Sequence, residues 1–320
     1  MASLGGIDLG GTKIQAAIVD EGHTVLGSAR RPTPTTGGPA GVAAEMEAAL
    51  RDAAKAAEVE PETLGGVGVG SPGTIEDGSV TSARNLPDWE GTFALGPELE
   101  KALGCAVKVG NDVQVATDAE FQLGAGRPYG SLLGVFWGTG VGGGLILDGK
   151  PWVGRGAAGE IGHIVVEMDG PTCTCGRQGC MEAFAGRSAM EAHVAKLVEK
   201  GRHTDLFKLM KERKRTRLTS GIWSRALEHD DKLATQVIDR AVGALGAGVA
   251  SALNVLDVEC VIIGGGLGVR LGDEYAKRIA HAMQPHLFAD YNPPDVHVAA
   301  LGDLGGAIGA SLLLESAASA

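Results

Sequence analysis

An apolar stretch, a glycine-rich turn and a second apolar stretch occur twice in this chain, and that repeat restricts its fold more than any other feature. Residues 6–9 run into Gly10-Gly11-Thr12-Lys13 and on to an apolar run at 14–19; residues 131–137 run into the glycines of 138–144 and on to 145–147. Each reads as a strand, a tight turn and a returning strand. Two such units predict two similarly built lobes. Around them, further strands are expected at 24–29, 64–69, 106–109, 260–263 and 296–301. Val42, Met46, Leu50 and Ala53 recur every three to four residues, as along one face of a helix. Helices are also expected at 95–103, 113–123 and 305–314, with 187–253 mainly helical. Strands alternating with helices predict an α/β fold with largely parallel sheets plus hairpins.

The chain's 320 residues suffice for one large domain or two modest ones. Its 51 glycines gather at strand ends, where a backbone can approach a ligand closely. A net charge of -11 argues against a general nucleic-acid binder, which needs a cationic face. The basic residues Lys211, Arg213, Lys214, Arg215 and Arg217 read as a solvated helix face. No apolar run reaches the roughly 18–20 residues that span a bilayer. Met1 to Gly6 lacks the pattern of a signal peptide, so no membrane partner and a cytoplasmic location are expected.

In Asp8-Leu9-Gly10-Gly11-Thr12-Lys13 a carboxylate ends a strand just before a turn whose N–H groups, Thr12 and Lys13 can all donate to phosphate oxygens. Asp8 can hold Mg²⁺ directly or through water. The competing reading is a plain hairpin. The loop 138–144 could face it across a nucleoside triphosphate, with Gly264-Gly265-Gly266 beside the adenosine. His163, Cys173, Cys175 and Cys180 form a Cys₃His set suited to tetrahedral, structural Zn²⁺, the alternative being unligated buried thiols. Cys105 and Cys260 lie in strand patterns and read as core. Glu160 stands three residues before His163 and Glu182 two after Cys180; held together, such carboxylates suit a polyol, although each alone could be a surface charge. Asp112, at the carboxyl end of the strand at 106–109, is placed to take a hydroxyl proton; the rival role is N-cap of the next helix.

These motifs, in this order, resemble the ROK family of sugar kinases and sugar-responsive repressors, from about residue 7 to 314. The resemblance implies a two-lobed hexokinase/actin-like ATPase fold with ribonuclease H-like lobes and a structural zinc site. Residues 1–112 with 303–320 would form the smaller lobe, and 113–302 the larger one carrying the zinc. It implies ATP-dependent phosphorylation of a hexose at the 6-hydroxyl, with glucose the first choice and mannose, fructose, allose, N-acetylmannosamine or N-acetylglucosamine as alternatives; polyphosphate is a second possible donor. Asp112 becomes the base. Asn85, Asn111, Asp112, Glu160, His163 and Glu182 would hold the sugar, with His163 serving zinc and substrate by different ring nitrogens. Asp8, Gly10, Gly11, Thr12, Lys13, Gly138, Thr139, Gly140, Gly142, Gly265 and Gly266 would hold ATP and Mg²⁺. The segment 302–307 departs from the family's more usual Asp/Asn-Ala-Gly pattern, at the adenosine end of the implied site. A homodimer or higher homo-oligomer is implied as well. A repressor is not expected, since the turn at Asp8 leaves no room before it for a helix-turn-helix.

Overall fold

Why this chain pairs its strands as it does is clearest at its most glycine-rich crossing. The computed structural model describes residues 2–83, 86 and 88–315. The chain opens with strands β1 (Leu4–Leu9), β2 (Lys13–Val19) and β3 (Val25–Pro32), helix α1 (Gly38–Ala56) and β4 (Val67–Ser71). A small hairpin sheet follows, β5 (Thr74–Glu76), β6 (Ser79–Thr81) and β7 (Thr92–Phe93), then α2 (Leu95–Leu103), β8 (Val107–Asn111) and α3 (Asp112–Gln122). Next come β9 (Leu132–Trp137), β10 (Val141–Leu147), the two-residue β11 (Lys150–Pro151), α4 (Glu182–Ala185) and α5 (Arg187–Glu199). The chain closes with α6 (Leu206–Glu212), α7 (Ser220–Glu228), α8 (Lys232–Leu256), β12 (Cys260–Gly264), α9 (Gly265–Met283), β13 (Asp295–Val298) and α10 (Gly305–Leu312).

Two compact units result. The first comprises 1–127, 151–158 and 300–320; the second comprises 128–150 and 159–299. The sheet of the first unit runs β3-β2-β1-β4-β8, with β1 antiparallel to β2 and parallel to β4, and β4 parallel to β8. One face is covered by α1, whose Val42, Met46, Ala49, Leu50 and Ala53 are almost completely buried. Each of the larger side chains stabilises the fold by about 1.5–3 kcal/mol relative to exposure. The other face is covered by α10, and there backbone meets backbone. A Cβ placed on Gly68 would lie 1.7 Å from the Ala310 carbonyl oxygen, and one on Gly6 would lie 1.9 Å from that of Ala307. Only glycine in the strands lets this small-residue helix sit so deep. On its other side α10 presses on α3, where a Cβ on Gly309 would lie 2.4 Å from the Val115 carbonyl oxygen. This packing places α3 with the first unit, whereas by sequence the boundary was expected at 112/113.

The second unit repeats the design. Its sheet runs β11-β10-β9-β12-β13, again an antiparallel hairpin followed by parallel strands. The hairpin departs from expectation in one respect. The loop foreseen over 138–144 is only Gly138-Thr139-Gly140, and Gly142, Gly143 and Gly144 are paired in β10. Gly143 serves packing: a Cβ on it would lie 2.7 Å from the Gly159 carbonyl oxygen. The basic run also differs, because α6 ends at Glu212. Arg213, Lys214, Arg215 and Arg217 lie in the exposed turn beyond it. The sheet β5-β6-β7 had no counterpart in the sequence reading, its strands being two or three residues long.

Candidate active site

In the first unit, β1, β4 and β8 end together. Asp8 pairs with Gly70, Gly70 with Gly110, and Ser71 with Asn111, so Asp8 and the Asn111-Asp112 step lie along one carboxyl edge of the sheet. This is the edge at which open α/β sheets bind ligands. The turn after Asp8 is fixed by the Gly10 N–H donating to the Lys13 carbonyl (2.9 Å) and the Thr33 hydroxyl to the Gly10 carbonyl (2.6 Å), leaving Gly11 and Thr12 exposed at its tip. Lys13 Nζ donates to Gln15 Oε1 and lies 3.7 Å from Asp303 Oδ1. Burial pushes the Asp8 carboxyl up to about 6, against the pull of Lys13. Gly306 lies against it: a Cβ there would be 2.7 Å from Asp8 Cγ. The segment 302–307 thus lies beside the Asp8 turn, through Gly306 on Asp8 and Asp303 near Lys13.

Asn111 is the N-cap of α3, its Oδ1 accepting from the N–H groups of Val113 and Gln114 at 3.1 Å. Capping therefore falls to Asn111, not to Asp112. Asp112 Oδ1 accepts from the Val113 N–H at 3.0 Å, which orients the carboxylate at the strand end. Asn85 lies outside the described residues.

The second unit gathers the cysteines. His163, Cys173, Cys175 and Cys180 present ligand atoms all within 4.8 Å of one another. Cys173 Sγ lies 3.7 Å from His163 Nδ1, and Cys175 Sγ lies 3.7 Å from Cys180 Sγ. A tetrahedron with bonds of 2.0–2.3 Å has edges of about 3.5–3.8 Å, so the donor spacing fits zinc. Burial alone would raise the Cys175 thiol, but hydrogen bonds from the Arg177 backbone and the neighbouring thiols bring it down to about 6. Burial and Cys175 push Cys180 up to about 12. A bound cation would favour the thiolate form of all three. The cluster packs with Ala183, Phe184 and Ala244 against α8. Cys260 is buried in β12, and Cys105 packs at the edge of the first unit's core.

With Nδ1 turned to the thiols, His163 Nε2 lies 3.7 Å from Glu160 Oε2, the two residues joined by one 3₁₀ turn. Glu182 starts α4 just after Cys180. Its Oε1 accepts from the Thr174 hydroxyl (3.2 Å), and its Oε2 from the Val141 N–H (2.9 Å). The cluster thus ties Glu182 to the start of β10, while Trp137 Nε1 donates to the Ala185 carbonyl at 2.7 Å. Gly140 is pressed against Glu182, since a Cβ there would lie 2.2 Å from Oε2. Gly266, at the start of α9, faces Gly138: a Cβ on Gly138 would lie 3.9 Å from the Gly266 nitrogen. Gly142 is set apart from this turn inside β10.

Two residues here escaped sequence reasoning. Arg187 donates to Thr139 Oγ1 (2.9 Å) and to Ser220 Oγ (3.0 Å). Arg187 and Ser220 have no motif around them, and only the folded chain brings them to the Gly138 turn.

The profile of the ROK family matches residues 4–317. A glucokinase from Thermotoga maritima is 31% identical over 316 residues, covering 97% of this chain and 96% of that one. The N-acetylgalactosamine kinase AgaK from Shewanella sp. is 30% identical, covering 96% of this chain and 95% of its own. The crystal structure of a ROK family glucokinase from Streptomyces griseus, in complex with glucose and AMPPNP, superposes with a TM-score of 0.83 at 30% identity and covers 97% and 98% of the two chains.

Proposed function

This chain belongs to the ROK family and is a sugar kinase; from that premise we propose that it transfers the γ-phosphoryl group of ATP to the 6-hydroxyl of glucose. The observation that carries the reading is the grouping of Glu160, His163 and Glu182 on the Cys₃His cluster, in a chain similar over its whole length to two glucokinases. Carboxylates accept hydroxyl hydrogen bonds in pairs, and fixed ones suit a ring bearing hydroxyls on neighbouring carbons. Asn85, Asn111 and Asp112 of the first unit complete the proposed sugar set, although Asn111 has only its amide left beyond the cap.

The geometry supports the following roles. His163, Cys173, Cys175 and Cys180 hold a structural zinc, which supplies charge balance and rigidity and no chemistry. Because His163 turns Nδ1 toward the thiols, Nε2 is the nitrogen it presents to substrate. The turn at Gly10, Gly11, Thr12 and Lys13 and the turn at Gly138, Thr139 and Gly140, with Gly265 and Gly266, bind ATP; Gly142 acts through the strand that carries the second turn. Asp8, desolvated and with a raised pKa, is suited to a hydrated Mg²⁺, which would favour its charged form. Asp112 takes the hydroxyl proton as the sugar oxygen attacks phosphorus, a contribution of typically 10²–10⁴-fold; positioning and charge stabilisation supply most of the rest. A homodimer and a cytoplasmic location complete the proposal, and no described helix is long and apolar enough to cross a membrane.

The similarity to AgaK supports a second reading, a kinase for an N-acetylhexosamine. A sugar panel with ATP and Mg²⁺, coupled to ADP release and run beside polyphosphate as donor, separates the two. Glucose is expected to give a kcat/KM at least about tenfold above mannose, fructose, allose and the N-acetylated hexosamines, a gap of about 1.4 kcal/mol in transition-state binding. An N-acetylhexosamine in first place would replace glucose as the assignment.

A further inference from the structure

The Gly138-Thr139-Gly140 turn has two chemically opposite sides. On the Gly140 side stands the Glu182 carboxylate, hydrogen-bonded to the Val141 N–H. On the Thr139 side stands Arg187, whose guanidinium spans Thr139 Oγ1 and Ser220 Oγ and whose backbone N–H donates to the Gly138 carbonyl at 3.1 Å. Both partners of the guanidinium are neutral hydroxyls. Among the described residues no carboxylate comes within ion-pair distance of it. Glu191, whose charge acts on it, has an oxygen engaged by the Leu218 N–H at 3.1 Å.

Three positive contributions meet here, against the pull of Glu191 and with no ion pair to the guanidinium among the described residues. Arg187 is the first residue of α5, where the helix dipole already favours an anion, and α5 has no acidic residue in its first turn. Arg217, from the basic turn after α6, adds its charge from nearby. The guanidinium is half-buried, and burial holds its pKa below the ordinary arginine value. A desolvated cation without an ion pair is costly, and an oxyanion at the turn removes that cost.

We propose that Arg187 is a donor-binding residue: held by Thr139 and Ser220, its guanidinium receives a phosphate oxygen of the phosphoryl donor at the Gly138–Thr139 side of the turn. The proposal rests on the kinase reading above and adds to it the residue that discriminates a polyanionic phosphate chain. A planar guanidinium is well matched to phosphate oxygens, and the neighbouring glycines allow close approach. The arrangement also separates the two sides of the turn, with phosphate at Arg187 and sugar hydroxyls at Glu182.

The test compares full-length wild type with Arg187→Gln and Arg187→Lys. Inorganic tripolyphosphate is the binding probe, KM for ATP and for sugar are measured separately, and the denaturation midpoint is taken without donor. Arg187→Gln is expected to weaken tripolyphosphate binding and raise KM for ATP by about 10- to 100-fold, the scale of a charge-assisted hydrogen bond. KM for sugar should move less than about twofold, and the midpoint should stay or rise, because a costly charge has been removed. Unchanged tripolyphosphate affinity in Arg187→Gln overturns the proposal. So does a lowered midpoint with both KM values rising together, which marks a purely structural clamp. Should Arg187→Gln not fold, Arg187→Lys decides: a loss of about twofold or more in tripolyphosphate affinity at constant sugar KM supports the assignment, and no loss overturns it. A wild-type protein that phosphorylates no sugar with ATP defeats the kinase reading, and the tripolyphosphate titration then judges Arg187 by itself.

Discussion

Asp112 and Asp8 stand on one sheet edge and face different demands. Asp112 is oriented by the Val113 N–H and stands beyond the Asn111 cap, so an amide in its place keeps the local backbone intact. Asp112→Asn is therefore expected to bind sugar as before while turnover falls by 10²-fold or more, read by equilibrium titration beside a coupled assay. Turnover above about a tenth of wild type would rule out the base role. Asp8 has a folded-state pKa of about 6, raised from 3.8 by burial. A raised carboxyl favours the folded state fully at pH below 3.8, and that benefit is lost as pH rises through 6. At about 1.4 kcal/mol per unit, the ceiling is about 3 kcal/mol, reduced further by the partial exposure of Asp8. Asp8→Asn should accordingly raise the donor-free denaturation midpoint at pH 8 and leave it near wild type at pH 4, while impairing turnover. Equal effects at both pH values would show that burial of the charge is not the cause.

Among the elements, the turn that runs from His163 to α4 has the least regular structure and the most chemistry. Its β-pairing among the described residues is limited to the isolated bridges Val165–Cys180 and Thr172–Gln178, beside backbone bonds such as Cys173 N–H to the Arg177 carbonyl (2.7 Å) and Met181 N–H to the Ile164 carbonyl (2.8 Å). Zinc would add to the order that these bonds give, on the order of 10 kcal/mol of apparent free energy in structural sites. Elemental analysis should find one zinc per chain. Cys175→Ser should lose the metal and, with it, the position of Glu182, so sugar KM rises by at least tenfold. A fully active protein without bound metal would refute the assignment. The cysteine set and the strand-end carboxylates were legible in the sequence, because ligand type and spacing are local properties. The Gly142–Gly144 segment reads as loop in sequence but pairs in β10: glycine runs mark turns, whereas Gly143 here answers to Gly159 crossing the strand, a contact that no local pattern records.

At the scale of the whole chain, the first unit is closed by its last helix. The glycines of β1 and β4 receive α10 at backbone distance, and α3 seals its other side. A chain ended after Ala299 should leave that sheet face uncovered, and its soluble yield should collapse or its near-UV circular dichroism be lost. A truncated chain that still unfolds cooperatively with the wild-type midpoint would contradict this role. Sequence by itself determined the twofold hairpin design, the Cys₃His set and the carboxylates at strand ends, since periodicity, turn chemistry and donor type act over a few residues. Tertiary structure alone decided that α3 packs with the first unit, that Gly306 lies on Asp8, and that Arg187 meets Thr139 across 48 positions. Those outcomes depend on side chains far apart in sequence competing for the same space, and a linear pattern carries no measure of which will fit.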